Sequence, residues 1–512
     1  MRRSRVAHNA LLNFLGLAVP LALAFFIMPV AALNLGPARF GLLGLAWAIT
    51  EYLTLFDLGL GRALVKFVAD ALHQASPKLS EIVSLSMAAQ LAAGLIGGAI
   101  VLITAPVLAR DVFRISPAAA GEAVGVFRVV GLSVPAVLLM SGQRAVLEGA
   151  QRFDLGASLK MLGSVAALVI PAIGAVKGVS LTVIMLAVLV ARLVVCVLYT
   201  IAIRLALPEL RLVRSRDWSL LKQLVSFGGW VLVSNTVSPF LVYFDRFALS
   251  SIAGLAATGF YTAPYEGVVR LLLIPVALFG SLLPALTSAE AARDATRLTQ
   301  MVSASERVLV PLMALPLALV FVFAPEILRV WLGAQYAAES STALRWLAVG
   351  VFTNSLANPL FVLLYAKNRP DLPARFHLLE LAIHIPLTIY LIRMFGITGA
   401  AAAWTARATL DMCLLLWAAG RVSHAPASAM AGGRAFYTAT ALVLLVAGLG
   451  VSKILLLTIS IGAAASGVAV TSIAFVALSW RSILGDAERA AIAGTMASYV
   501  RLVPTNRRDR LL

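Results

Sequence analysis

Several stretches of this chain carry no charge over a length that a buried core helix does not need. Residues 82–109 hold no charged side chain, and 164–176 and 179–191 are interrupted only by Lys177-Gly178. A helix that crosses a bilayer takes about 20 mostly apolar residues. Runs of this kind therefore dictate a chain whose main solvent is lipid. Composition agrees: 61% of the residues are hydrophobic and 12% charged, with a mean hydropathy of +0.96, well outside the range of soluble domains.

Reading apolar segments against charged or Gly/Pro-rich breaks gives an all-α polytopic membrane protein with about 14 transmembrane helices. The expected segments are 9–33, 40–60, 82–108, 123–145, 157–176, 179–202, 224–252, 258–286, 302–323, 343–364, 376–395, 399–420, 437–451 and 455–480. The N-terminal Met1-Arg-Arg-Ser-Arg run precedes an apolar stretch too long for a typical signal peptide, so an uncleaved first helix is expected. With the N-terminus in the cytoplasm, 28 of the 41 Lys+Arg residues fall in inside loops and the tail, seven fall in outside loops, and six fall within segments. This is the bias of the positive-inside rule, and it favours an even helix count. The expected location is a bacterial inner membrane, with both termini cytoplasmic.

The same bookkeeping disposes of nucleic acid as a partner. A net charge of +18 would suit it only if the cations clustered on a face or tail with aromatics between them, and here they sit in short runs between apolar segments. Their excess marks topology and attraction to anionic lipid heads. Cys196 and Cys413 lie inside apolar stretches with no metal-ligand spacing, and neither a metal nor a cofactor is expected. Residues 486–503 alternate charge with apolar positions, which fits an amphipathic surface helix or a frayed, solvated tail.

The most polar linker, 207–222, follows the sixth segment. It divides the chain into an N-terminal six-helix lobe (1–206), a C-terminal six-helix lobe (223–423), two additional helices (424–480) and a cytoplasmic tail (481–512). Repeated halves with a binding site at their interface are common in transporters. Gly36-Pro-Ala-Arg-Phe-Gly41 opens the second segment and Gly254-Leu-Ala-Ala-Thr-Gly259 the eighth, while Pro20 and Pro239 interrupt the preceding segments at nearly the same offset. Further prolines, among them Pro264 and Pro275, kink the spans.

Ionisable residues within spans are costly and usually face an internal cavity. Glu51 sits near mid-membrane with no cation on its own helix, and Asp57 lies nearer the inner end. Arg128 and Arg192 have no acid within a turn and are candidates for an anion-accepting cavity. Asp245 and Arg246 are adjacent and point in different directions, so at least one needs a distant partner. Glu266 with Arg270, Arg407 with Asp411, and Glu380 with His384 are four apart and can pair along one face. All six intramembrane cations are arginine, whose planar fork suits phosphate oxygens.

A series of loose motifs in order resembles a known family. They are Leu35-Gly-Pro-Ala-Arg-Phe-Gly-Leu, Phe56-Asp-Leu-Gly-Leu-Gly-Arg-Ala-Leu, Gly149-Ala-Gln-Arg-Phe-Asp-Leu, Ser238-Pro-Phe-Leu-Val-Tyr-Phe-Asp-Arg-Phe, Gly259-Phe-Tyr-Thr-Ala-Pro-Tyr, and Ile274-Pro-Val-Ala-Leu-Phe through Leu283-Pro. Together they are similar to the Wzx-like polysaccharide flippases of the multidrug/oligosaccharidyl-lipid/polysaccharide exporter superfamily. The resemblance implies two six-helix lobes around a partly cationic central cavity. It also implies an undecaprenyl-diphosphate-linked oligosaccharide moved from the inner to the outer leaflet, with H⁺ or Na⁺ coupling and contact with polysaccharide assembly proteins as open expectations. Asp57, Asp245, Arg246 and Arg270 are carried over by the resemblance, whereas Glu51, Arg128 and Arg192 rest on burial alone. The expected substrate-binding set is Arg128, Arg192, Arg246 and Arg270, and the expected cavity acids are Glu51, Asp57 and Asp245.

Two rivals remain open. A multidrug or cation antiporter of the same superfamily would want acids in excess of arginines in its cavity, and here they are balanced. A polysaccharide polymerase or ligase would want a substantial outer loop, and the longest expected is about a dozen residues around 109–121. A transporter is expected, and not an enzyme.

Overall fold

The computed structural model describes residues 2–54, 60–74, 76–211, 213, 229–279, 282–423, 434–490 and 493, and these contain helices and no strand. The elements are α1 (Arg2–Leu53), α2 (Leu60–His73), α3 (Leu79–Val107), α4 (Pro117–Gly149), α5 (Phe153–Val176), α6 (Leu181–Ala206), α7 (Gly229–Val269), α8 (Leu273–Phe279), α9 (Leu282–Ala291), α10 (Ala295–Val322), α11 (Ala324–Leu332), α12 (Ala334–Ala366), α13 (Asp371–Ser423), α14 (Ala435–Thr458) and α15 (Ile461–Leu478). Asp57, most of the expected linker 207–222 and the tail past 490, apart from 493, lie outside the described residues.

Among the described residues, eleven helices are long and apolar enough to cross a membrane. Three of the long helices are broken at a single glycine of positive φ: α1 at Gly36, α7 at Gly254 and α13 at Gly396. Each broken helix carries two of the fourteen expected segments. The loop expected at 34–39 thus shrinks to one residue that only glycine adopts without strain. The thirteenth segment is longer than expected, because α14 runs on to Thr458 before Ser460 caps α15. Between α10 and α12 the chain passes through the short helix α11.

By contacts the chain divides into two compact units. One comprises Met1–Arg270, Pro325–Leu347 and Ala374–Arg407, and the other Leu271–Ala324, Ala348–Pro373 and Ala408–Leu512. In the first unit, small residues let helices touch backbone to backbone. A Cβ on Gly94 of α3 would stand 2.6 Å from the Pro135 Cα of α4, and Gly131 packs against Gly98 nearby. Polar side chains then fix the register: the Arg39 Nε and Nη2 donate to Glu122 at 2.9 and 2.6 Å, and the backbone N–H of Leu181 donates to the same carboxylate at 2.7 Å. This ties the break in α1 to α4 and to the start of α6.

The breaks in α1 and α7 meet. A Cβ on Gly41 would collide with the Leu255 carbonyl and lie 2.8 Å from the Gly259 nitrogen, and one on Gly259 would collide with the Pro37 carbonyl. Gly254 and Gly259 follow Gly36 and Gly41 by the same 218 positions, and their backbones match, with φ/ψ of 73/164° at Gly36 and 87/176° at Gly254. In the second unit Ala314, Ala318 and Val322 of α10 pack on Ala441, Leu445 and Leu449 of α14 and on Phe475 of α15. The Lys453 Nζ donates to the Val322 carbonyl at 3.0 Å, a cation at the C-terminal end of α10.

Candidate functional site

Arg246 and Glu266 are 20 positions apart on α7, a separation of about 30 Å along an unbroken helix. Yet the Arg246 Nη2 donates to the Glu266 Oε1 at 2.7 Å. The chain therefore reverses at Gly254 and lays its two halves side by side. Asp245 uses the same reversal: its Oδ2 accepts from the Tyr261 hydroxyl on the returning half, while its Oδ1 accepts from the Arg246 backbone N–H at 2.7 Å. The two adjacent charges each find a partner across the break, as their divergent directions require.

Arg246 is only 1% exposed. Its guanidinium carbon stands 4.5 Å from the centre of the Tyr265 ring and 5.2 Å from that of Tyr243, and these faces supply further attraction in a dry setting. Glu266 is shared. One oxygen takes Arg246, and the other takes the Arg270 Nη2 at a longer 3.3 Å. One carboxylate between two guanidiniums leaves a positive charge over. The buried Arg246 is held by three side chains, whereas Arg270 is 25% exposed on its longer bond and is the more accessible of the pair.

A third break extends the cluster. Arg407 Nη1 donates to the Glu380 Oε2 at 3.3 Å although the two are 27 positions apart on α13, so the pair closes across Gly396. The sequence pattern along one helix turn had suggested Asp411 and His384 as their partners. The His384 ring instead meets the Thr388 hydroxyl at 3.2 Å and the Phe244 ring at 6.2 Å between centroids. Trp404 links the two hairpins, 5.9 Å from the Arg407 guanidinium and edge-on to Tyr265 at 5.7 Å.

The remaining expected residues separate into two groups. Arg192 on α6 donates to the Ser133 hydroxyl of α4 at 2.8 Å, and its charge acts on Glu51, as do those of Glu266, Lys160 and Arg246. Glu51 lies within the electrostatic reach of cations on α5, α6 and α7 and, among the described residues, makes no ion pair with them. Arg128 sits exposed on α4 and has no hydrogen bond or ion pair among the described residues, so it is not brought into this cluster. Sequence reasoning missed Lys160 and the three tyrosines. Lys160 stands at the inner end of the expected fifth segment, where it counts with the inside-loop cations, and so falls outside the intramembrane set. Tyr243 stands one turn before Arg246, a spacing that marks an arginine–ring contact. Among the described ion pairs, Arg246 and Arg270 share the single carboxylate of Glu266.

This arrangement of broken helices belongs to a known class of membrane transporter fold. The structure of Lipid II flippase MurJ in an inward closed conformation superposes with a TM-score of 0.71 at 13% identity, covering 92% of this chain and 99% of MurJ. An inward-facing multidrug resistance MATE family transporter of the MOP superfamily gives 0.70 at 14% identity, covering 80% of this chain and 98% of that one. Identities this low speak for fold alone. In sequence, a Shigella flexneri protein named "Putative O-antigen transporter" is 28% identical over 415 residues, 80% of this chain and 97% of that protein. Residues 6–290, more than half of the chain, match the family described as "Polysaccharide biosynthesis protein". The protein is a multi-pass membrane protein of that family.

Proposed function

We propose that the protein flips an undecaprenyl-diphosphate-linked oligosaccharide from the inner to the outer leaflet, for surface polysaccharide biosynthesis. Family membership, the name of the Shigella relative and the MurJ-like fold support a lipid-linked sugar as cargo. The observation that carries the reading is Glu266 shared between Arg246 and Arg270: the first arginine is locked in place, and the second can exchange a 3.3 Å bond for a diphosphate oxygen without leaving a buried charge unpaired. Glu51 and Asp245 serve as sites where H⁺ or Na⁺ would couple, and Arg192 as a second anion contact.

In this reading the lobes 1–206 and 223–423 alternate access to the two sides while the lipid tail stays in the bilayer. The protein sits in the inner membrane with both termini cytoplasmic, moves its cargo without chemistry, and hands it to polysaccharide assembly proteins outside. A multidrug antiporter shares the fold, but its cationic substrates would meet a cluster of net positive charge. Reconstitution separates the two. Protein-dependent leaflet exchange of a fluorescent polyprenyl-diphosphate oligosaccharide is expected, and export of organic cations with no lipid exchange would overturn the proposal.

A further inference from the structure

The second unit carries a cationic feature that the cargo site does not use. The π-turn Ser479–Ile483 ends α15 and leaves carbonyls that the helix no longer bonds. Two arginines converge on them. Arg434, at the start of α14, gives its Nη1 to the Ser482 carbonyl at 3.0 Å and to that of Leu484 at 2.9 Å. Arg489 gives Nε and Nη2 to the same Leu484 oxygen at 3.2 and 3.0 Å, and Nη2 also to the Arg481 carbonyl at 3.2 Å. Two guanidiniums thus stand side by side on one carbonyl, with Arg481 exposed beside them.

Acids nearby do not neutralise this group. Glu488 is spent on Arg307, which binds it through both Nε and Nη2. Burial would raise the Glu488 carboxyl, but the hydrogen bond from Arg307 and the backbone bonds around it hold it below the usual carboxylate range, so it stays ionised in that pair. Asp486 is fully solvated and reaches only Arg489, at 3.5 Å. Arg434 has no acid partner among the described residues, and its Nε and Nη2 remain open to a planar, bidentate acceptor.

Along the same helix lies an apolar cavity of about 310 Å³, lined by Ala314, Ala318 and Phe321 of α10, Phe352 of α12, and Leu442 and Val446 of α14, with no polar side chain in its wall. Leu442 and Val446 follow Arg434 by eight and twelve residues, about 12 and 18 Å along the axis. Half of a bilayer's hydrocarbon core is about 15 Å deep. A phosphate held by Arg434 would therefore place an acyl chain at the depth of the cavity. From this pairing we infer that the second unit binds one anionic phospholipid of the bilayer, its phosphodiester on Arg434 and Arg489 and an acyl chain in the α10–α12–α14 cavity. This site is independent of the cargo reading.

Native mass spectrometry of the full chain, released from vesicles of equal phosphatidylglycerol and phosphatidylcholine, tests the inference. One phosphatidylglycerol is expected to stay bound, with a preference of about tenfold or more over phosphatidylcholine. R434Q/R489Q is expected to lose the preference, and V446W to lose retention of either lipid. Should R434Q/R489Q not fold, R434K/R489K keeps the charge without the fork and is expected to retain a reduced preference. Equal retention of the two lipids by the native protein, a preference unchanged in R434Q/R489Q, or displacement of phosphatidylglycerol by an equimolar polyprenyl diphosphate would each overturn it.

Discussion

Position by position, 218 residues apart, the half-helices around Gly36 and Gly254 share a backbone and differ in their side chains. Ile27 and Met28 stand where Asp245 and Arg246 stand, Leu43 where Tyr261, Trp47 where Tyr265, Ala48 where Glu266, and Tyr52 where Arg270. Met28, Leu43 and Ala48 are buried among apolar neighbours, whereas their counterparts form the ion-paired, ring-faced cluster. Glycines dictate the break and the close crossing in both. The comparison teaches that the reversal needs no charge, and that the charges of α7 are an addition to a frame that already stands. Such an addition raises no stability by itself, since a buried ion pair is often no better than apolar packing.

The shared part of the comparison is the easiest to break. Gly41→Leu and Gly259→Leu each drive a side chain into a backbone carbonyl of the other hairpin, and each is expected to cost more than about 4 kcal/mol and abolish the monodisperse peak in fluorescence-detected gel filtration. If either is tolerated, the hairpins do not rely on a common crossing. The difference between them is tested next. Arg246→Met leaves Glu266 with only its longer contact to Arg270 and is expected to lose about 1.5–3 kcal/mol, seen as a drop in the detergent unfolding midpoint. Adding Glu266→Ala, which copies Met28 and Ala48 into α7, is expected to restore most of that loss. A double variant as unstable as the single one would mean that the cluster, and not the glycine frame, holds the hairpin. Gly36→Ala and Gly254→Ala meet no neighbour within 4 Å and differ from glycine only in tolerating positive φ poorly, so each is expected to cost about 1–2 kcal/mol and to match the other.

The repeat was legible in sequence because Gly36–Gly41 and Gly254–Gly259 read as matching openings of the second and eighth segments, whereas the close crossing at Gly41 and Gly259 depends on packing between the hairpins. Hydropathy placed the spans, since the bilayer acts on each segment separately. The ion pairs were less legible. Glu266–Arg270 follows from helical spacing, but Arg246–Glu266 and Glu380–Arg407 exist only once the chain has reversed at Gly254 and Gly396, and spacing along one helix turn points to other partners. Glu51 appeared to lack a cation because the charges that act on it stand on other helices. Arg128 qualified by its place in a span, and it is exposed on α4 with no hydrogen bond or ion pair among the described residues. Charge within a segment tells that a residue is unusual; packing tells what it meets.

Binding is where the two hairpins should differ most plainly. With purified protein in micelles, titration of a polyprenyl-diphosphate oligosaccharide followed by intrinsic fluorescence is predicted to show at least about tenfold weaker affinity for Arg270→Gln, the loss of one charge-assisted contact, and native affinity for Tyr52→Gln at the matching position of α1. Equal affinity in the native protein and Arg270→Gln, or equal weakening in both variants, would contradict the assignment of the charged hairpin as the anion-reading half.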